Sequence, residues 1–218
     1  MTLDQIAHRV RASGLAIVGA FHPVPEDDVP EGIATLLLLG ADGPVMWQAY
    51  STGPEHSDGA PHPMDRWSRR VIGTLATDLS ATAFFPFGGP PWQPFQKWAF
   101  RGEGAETSPV SMQVTLARGL WTSYRGALGF ADRIDLPVRS DASPCADCDA
   151  PCLRACPVDA FATGSYDVPS CVAHLKTGTD LPCRSGCLIR KACPYGQAIN
   201  LPAQQRAFHI DAFLRANG

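Results

Sequence analysis

Cys145-Ala-Asp-Cys148-Asp-Ala-Pro-Cys152-Leu-Arg-Ala-Cys156-Pro157, then Cys171, then Cys183-Arg-Ser-Gly-Cys187, then Cys193-Pro194, together hold all eight cysteines of the 218-residue chain. Nothing before Cys145 contributes one. The N-terminus, Met1-Thr2-Leu3-Asp4-Gln5-Ile6, has no basic segment leading into an apolar one. No apolar run approaches the ~20 residues of a membrane span, so a cytoplasmic protein with no membrane partner is expected. In that reducing compartment structural disulfides are disfavoured, and eight cysteines crowded into one stretch point to metal.

Both runs end in Cys-Pro. In two-cluster ferredoxins three cysteines of a run hold one 4Fe-4S cluster and the fourth, next to proline, reaches across to the other. That rule gives Cys145, Cys148, Cys152 and Cys193 to a first cluster and Cys156, Cys171, Cys183 and Cys187 to a second, with no cysteine left over. Soft thiolates match the sulfide-rich iron core, and short loops let several converge on one cluster. The spacing departs from the bacterial run, with three residues between Cys148 and Cys152 and five between Cys187 and Cys193. The alternative is a pair of four-cysteine zinc sites, which commonly use two C-x2-C knuckles each, whereas this chain has a single one.

The composition is ordinary for a globular protein, 45% apolar and 18% charged, and the net charge of -3 gives no bulk footprint for a polyanion. Thr2 and Gln5 form a capping box, Leu3, Ile6 and Val10 share a helical face, and Gly14 suits a C-terminal cap, predicting a helix over 2–13. Strands are expected over 15–21, 35–39, 81–87, 111–116 and 120–130, and helices over 65–79, near 94–100 and over 203–216. Trp67 is expected in the core, and Arg69-Arg70 on a solvated helix face. The boundary is placed at 139–144, where aromatic content drops and the cysteines begin. This divides the chain into residues 1–140, expected to fold alone, and 141–218.

Residues Gly88-Gly-Pro-Pro-Trp-Gln-Pro-Phe-Gln-Lys-Trp-Ala99, Ser108-Pro109 and Gly119-Leu-Trp121-Thr-Ser-Tyr124-Arg125-Gly126 form an unusual text. With the cysteine runs, it resembles the family of epoxyqueuosine reductases, corrinoid reductive dehalogenases and cobalamin-processing proteins. The resemblance implies an α+β fold: a nitroreductase/CblC-like N-terminal domain, then a small two-cluster ferredoxin-like module and a C-terminal helix. It implies cobalamin as a cofactor of the first domain, with Arg125, Tyr124 and Trp121 of the aromatic segment and His62 of His62-Pro63-Met64-Asp65 as binding residues. Epoxyqueuosine reductases resemble one another in a carboxylate proton donor that residues 91–101 here lack. They also continue into a helical tRNA-binding segment, while this chain ends 25 residues after Cys193, so nucleic acid is not an expected partner.

Arg125, on an apolar aromatic strand, needs either a structural ion pair or an anion. Arg184, Arg190 and Lys191 lie among the second-run ligands and are expected to ring the surface, as a dock for an acidic flavodoxin- or ferredoxin-type donor or as local charge balance. The leading expectation is an iron-sulfur reductase that passes electrons to a corrinoid or small organic substrate in the first domain. Two rivals stand beside it: a ferredoxin-type electron carrier with a partner-docking domain, and a cobalamin carrier without turnover.

Overall fold

The first helix, α1 (Leu3–Ala12), begins on its capping box: Gln5 N–H donates to Thr2 Oγ1 at 3.4 Å while Thr2 N–H donates to Gln5 Oε1 at 2.9 Å. Ile6 and Val10, one turn apart, are fully buried. Gly14 follows at φ +88°, and a Cβ there would lie 2.4 Å from Ala49 Cβ. Backbone conformation and close approach both require glycine.

The computed structural model describes every residue except Asp42 and Asp141. Two compact units emerge, one of Met1–Gly104 with Ser123–Asp141, the other of Ala105–Thr122 with Ala142–Gly218. The expected boundary near residue 140 is present, but 105–122 belongs with the cysteine segment. The cause is packing: Val110, Val114 and Leu120 share a buried cluster with Cys152, Phe161, Ile189 and Cys193.

After α1 come β1 (Ala16–Phe21), β2 (Thr35–Gly40), α2 (Val45–Ser51), α3 (Pro54–Ser57), α4 (Pro63–Asp78), β3 (Thr82–Phe84), α5 (Phe95–Gly102), β4 (Glu106–Thr107), β5 (Gln113–Val114) and β6 (Tyr124–Phe130). Helix makes up 42% of the chain and strand 13%, a mixed fold with little sheet. The first unit holds a four-stranded sheet in the order β1-β2-β6-β3, every neighbour antiparallel. Its central strand β2 is buried at all six positions because helices cover both faces. Leu36 and Leu38 pack with Phe21, Phe84, Phe95, Trp98 and Ala127 on the side of α5. The neighbouring residue Gly126 turns the other way, where a Cβ would meet Ile72 of α4 at 2.6 Å. Trp67 and Ile72 of α4 are buried there, as expected of Trp67.

The third strand stops at Phe84, short of the expected 87, because Pro86 has no N–H for the ladder. In the second unit β4 and β5 form a two-residue ladder. Turns of 3-10 helix cover Pro151–Arg154, Pro182–Ser185 and Pro194–Ile199, each opened by a proline that needs no N–H partner there. Three helices complete the unit: α6 (Val168–Lys176), α7 (Leu188–Ala192) and α8 (Ala203–Asn217). Asp167 caps α6 by accepting the Ser170 N–H at 3.0 Å. No helix is long and apolar enough to cross a membrane among the described residues.

Candidate metal centre

The first-run thiols are brought to one place by tight turns. Ala150 adopts φ +47° just before the 3-10 turn that carries Cys152, and Cys193 sits between the end of α7 and the next 3-10 turn. Cys145, Cys148, Cys152 and Cys193 line one cavity of about 50 Å³, with Val114, Leu120 and several prolines completing an apolar wall. Gly119 passes so close that a Cβ would lie 2.8 Å from Cys193 Sγ and 2.4 Å from Gly196 N. The glycine opening the Gly119-Leu120-Trp121 motif therefore makes room for a thiol.

The thiol electrostatics sort the cysteines into the same two sets that the Cys-Pro rule gives. Burial raises Cys145 to about 11, and Glu106, Cys148, Cys152 and Cys193 push it the same way. Burial and Cys193 raise Cys152, and a bond from the Leu153 N–H partly opposes them. In the other set burial raises Cys171, with Cys187 and Cys156 adding and the Tyr166 hydroxyl opposing. Cys183 is raised by burial and then by Cys187, Cys156 and Cys171, against Lys191. Four thiolates in such a space repel one another unless a cation neutralises them, so the donor sets suit a bound metal group. Among the described residues no three His, Cys, Asp or Glu side chains converge as ligands of a single ion.

Sulfur hydrogen bonds differ between the sets. Cys156 Sγ accepts the Ala160 N–H at 3.4 Å, and Tyr166 donates to Cys171. The Tyr166 ring stacks on Phe161 at 4.5 Å. Beside Cys145, Glu106 Oε1 accepts Ser143 Oγ–H at 2.6 Å and the Cys145 N–H at 3.4 Å. The sequence reading missed Glu106, Ser108 and Tyr166, because only the fold brings them to the thiols. Ser108-Pro109 was the one signal, as part of the unusual text.

The surface dock expected of Arg184, Arg190 and Lys191 is not formed. Arg190 donates to the Leu120 carbonyl at 2.6 Å, lies 6.0 Å over the Trp121 ring, and has its pKa pulled down by burial. Arg184 donates to the Leu175 carbonyl at 2.7 Å, and Lys191 holds Ser185 Oγ at 2.9 Å. These side chains tie loops together instead of facing a partner.

Of the four residues implied as cobalamin ligands, His62, Tyr124 and Arg125 belong to the first unit and Trp121 to the second. Arg125 is a structural pair: it meets Asp65 Oδ1 at 2.5 Å and Ser68 Oγ at 3.1 Å on α4. Burial lowers its pKa while Asp65 raises it. Tyr124 pairs with Gly40 past a register irregularity and donates to Glu103 Oε2 at 2.6 Å. His62 is exposed at the start of α4 with φ +52°. Trp121 belongs to the second unit, packed on Gly196. Arg69 and Arg70 also depart from a plain solvated face, Arg69 lying 5.5 Å over Phe87 and Arg70 pairing with Glu55 at 2.5 Å.

The first unit has an open cavity of about 1020 Å³, lined among others by Val24, Asp27, Trp92, Gln93, Phe100 and Arg101. Trp92 is 65% exposed, and Val24 and Phe100 are also exposed on the same walls. Asp27 is buried and held by Arg101 Nε at 3.0 Å and the Val24 N–H at 3.0 Å. This carboxylate comes from the loop after β1 and stands beside the acid-free stretch 91–101.

Comparison with family models, curated proteins and solved structures gives no match to this chain.

Proposed function

We propose that this chain binds two 4Fe-4S clusters and transfers electrons, acting as a reductase of a small organic acceptor. The observation that carries the reading is the sorting of all eight thiols into two sets of four, with Cys193 beside the first-run cysteines although it lies 37 residues beyond Cys156. A cubane takes each thiolate on a different iron, so its ligands ring a volume. A zinc ion draws four sulfurs to about 2.3 Å of one point. Four thiols around a common cavity with mostly apolar walls favour the cubane.

When bound, the clusters supply one-electron chemistry. The residues of the chain do the rest: the prolines, Val114 and Leu120 exclude water from the first set, and turn geometry aims the thiols. The acceptor is assigned to the open cavity of the first unit, where the exposed Trp92 and Phe100 offer aromatic faces and Gln93 an amide, within the size range of small-molecule sites. The lining charges balance, Glu26 and Asp27 against Lys97 and Arg101, which suits an acceptor without net charge.

The test is anaerobic. Protein reduced by dithionite and desalted is titrated with hydroxocobalamin, and separately with neutral quinones. Reoxidation of the clusters by a quinone, slowed in Trp92→Ala at unchanged iron content, is the expected result. Equal rates in both proteins would remove the cavity and favour the electron-carrier reading. Cobalamin bound without electron transfer would favour the carrier of that cofactor.

A further inference from the structure

Ser108 is 5% exposed, and its hydroxyl has no hydrogen-bond partner among the described residues. A buried hydroxyl left unpaired is costly, so each such group calls for an explanation. Its backbone is fixed by a turn: Ser108 N–H donates to the Met112 carbonyl at 2.9 Å, and its carbonyl accepts the Ser111 N–H at 2.9 Å. Ser111, at φ +57°, in turn donates from its hydroxyl to the Gly164 carbonyl at 2.7 Å. The side chain so held lines the cavity formed by Cys145, Cys148, Cys152 and Cys193, whose remaining walls are apolar apart from Tyr195. The four cysteines bring sulfur acceptors to that space, and the Tyr195 hydroxyl on its wall is not bonded to Ser108.

We propose that Ser108 is a positioning residue for the first cluster, its hydroxyl donating a hydrogen bond to a sulfur of the group those four cysteines hold and thereby raising its reduction potential. The inference rests on the two-cluster reading above. Its physical basis is charge: one added electron makes the group and its four thiolates one unit more negative, so a donor binds the reduced form more strongly than the oxidised form. Two other groups act at the same thiols, Glu106 on Cys145 and the Leu153 N–H on Cys152, and neither satisfies the Ser108 hydroxyl.

The experiment is a dithionite titration of the anaerobic full-length protein at controlled potential, followed by electron paramagnetic resonance. The first-cluster signal is assigned as the one lost in Cys145→Ala. In Ser108→Ala the first-cluster midpoint is expected to move to more negative potential, the second to stay, and iron content to hold. Ser108→Thr, which keeps the hydroxyl, is expected to restore the midpoint, and Ser108→Val, of the same size without it, to reproduce the alanine shift. The Thr and Val pair decides the matter if the smaller side chain loosens the site. Equal midpoints in Thr and Val variants, or a joint shift of both clusters, would overturn the role of the hydroxyl while leaving the cluster reading intact. Wild-type protein that carries no iron would instead refute that reading.

Discussion

In the first unit Leu36 to Leu39 fill a strand buried on both faces, and Trp67, Ile72 and Trp98 lie over it at 0–1% exposure, whereas the buried cluster of the second unit counts Cys152 and Cys193 among its own members. A sheet with helices on each side stabilises itself by removing apolar area from water. The second unit has a two-residue ladder and short 3-10 turns around raised thiols, so on the proposed reading its order would depend on the group the thiols bind. The difference teaches that one chain combines a conventional core with a unit that, on the two-cluster proposal, would fold and bind its metal in one process.

The largest effect expected from breaking this contrast is Cys193→Ala. It should lose the first cluster, about half the iron, and disorder the second unit, while the near-ultraviolet circular dichroism of Trp67 and Trp98 persists. Loss of the second cluster instead would reverse the assignment across the two runs.

Next is dissection of the chain. A fragment of residues 1–140 carries Val110, Val114 and Leu120 without their packing partners and should bind a hydrophobic dye and aggregate. Replacing 105–122 in that fragment by a short glycine-rich linker should restore a monodisperse protein, since Glu103 and Tyr124 already meet at 2.6 Å. Equal solubility of both fragments, by light scattering, would argue against placing 105–122 in the second unit.

Leu38→Ala should destabilise the first unit by about 2–5 kcal/mol in urea unfolding followed by tryptophan fluorescence, with iron content unchanged. Smallest is Glu55→Gln. The Arg70 guanidinium, at 2.5 and 2.8 Å, holds the Glu55 carboxyl below its ordinary value. A lowered folded pKa gives stability that is present above the unfolded pKa and lost as pH falls through the folded one. The variant should therefore cost about 0.5 kcal/mol at neutral pH, a surface-pair magnitude because Arg70 stays 50% exposed, and match the wild type in strong acid. A cost that persists in acid would mean packing, not charge, is what Glu55 contributes.

What could be read from the sequence follows physical locality. Helix α1 is set by its capping box, α4, α5 and α8 by apolar spacing within a few residues, and all four stand close to where the pattern predicts them. The shorter helices α2, α3, α6 and α7 were missed; α2 and α3 span only seven and four residues, and α6 and α7 lie among the cysteines. The proposed thiol sets rest on a count of eight and two Cys-Pro ends, which constrain the pairing. Arg190 was misread because its partner, the Leu120 carbonyl, lies 70 residues away. Ser108 and Glu106 reach the first set for the same reason, through tertiary contacts that no local pattern reports.

Iron and acid-labile sulfide per chain, measured on anaerobically purified wild-type protein, test the central claim most directly. The account predicts about eight of each. Two zinc ions with no labile sulfide would contradict it.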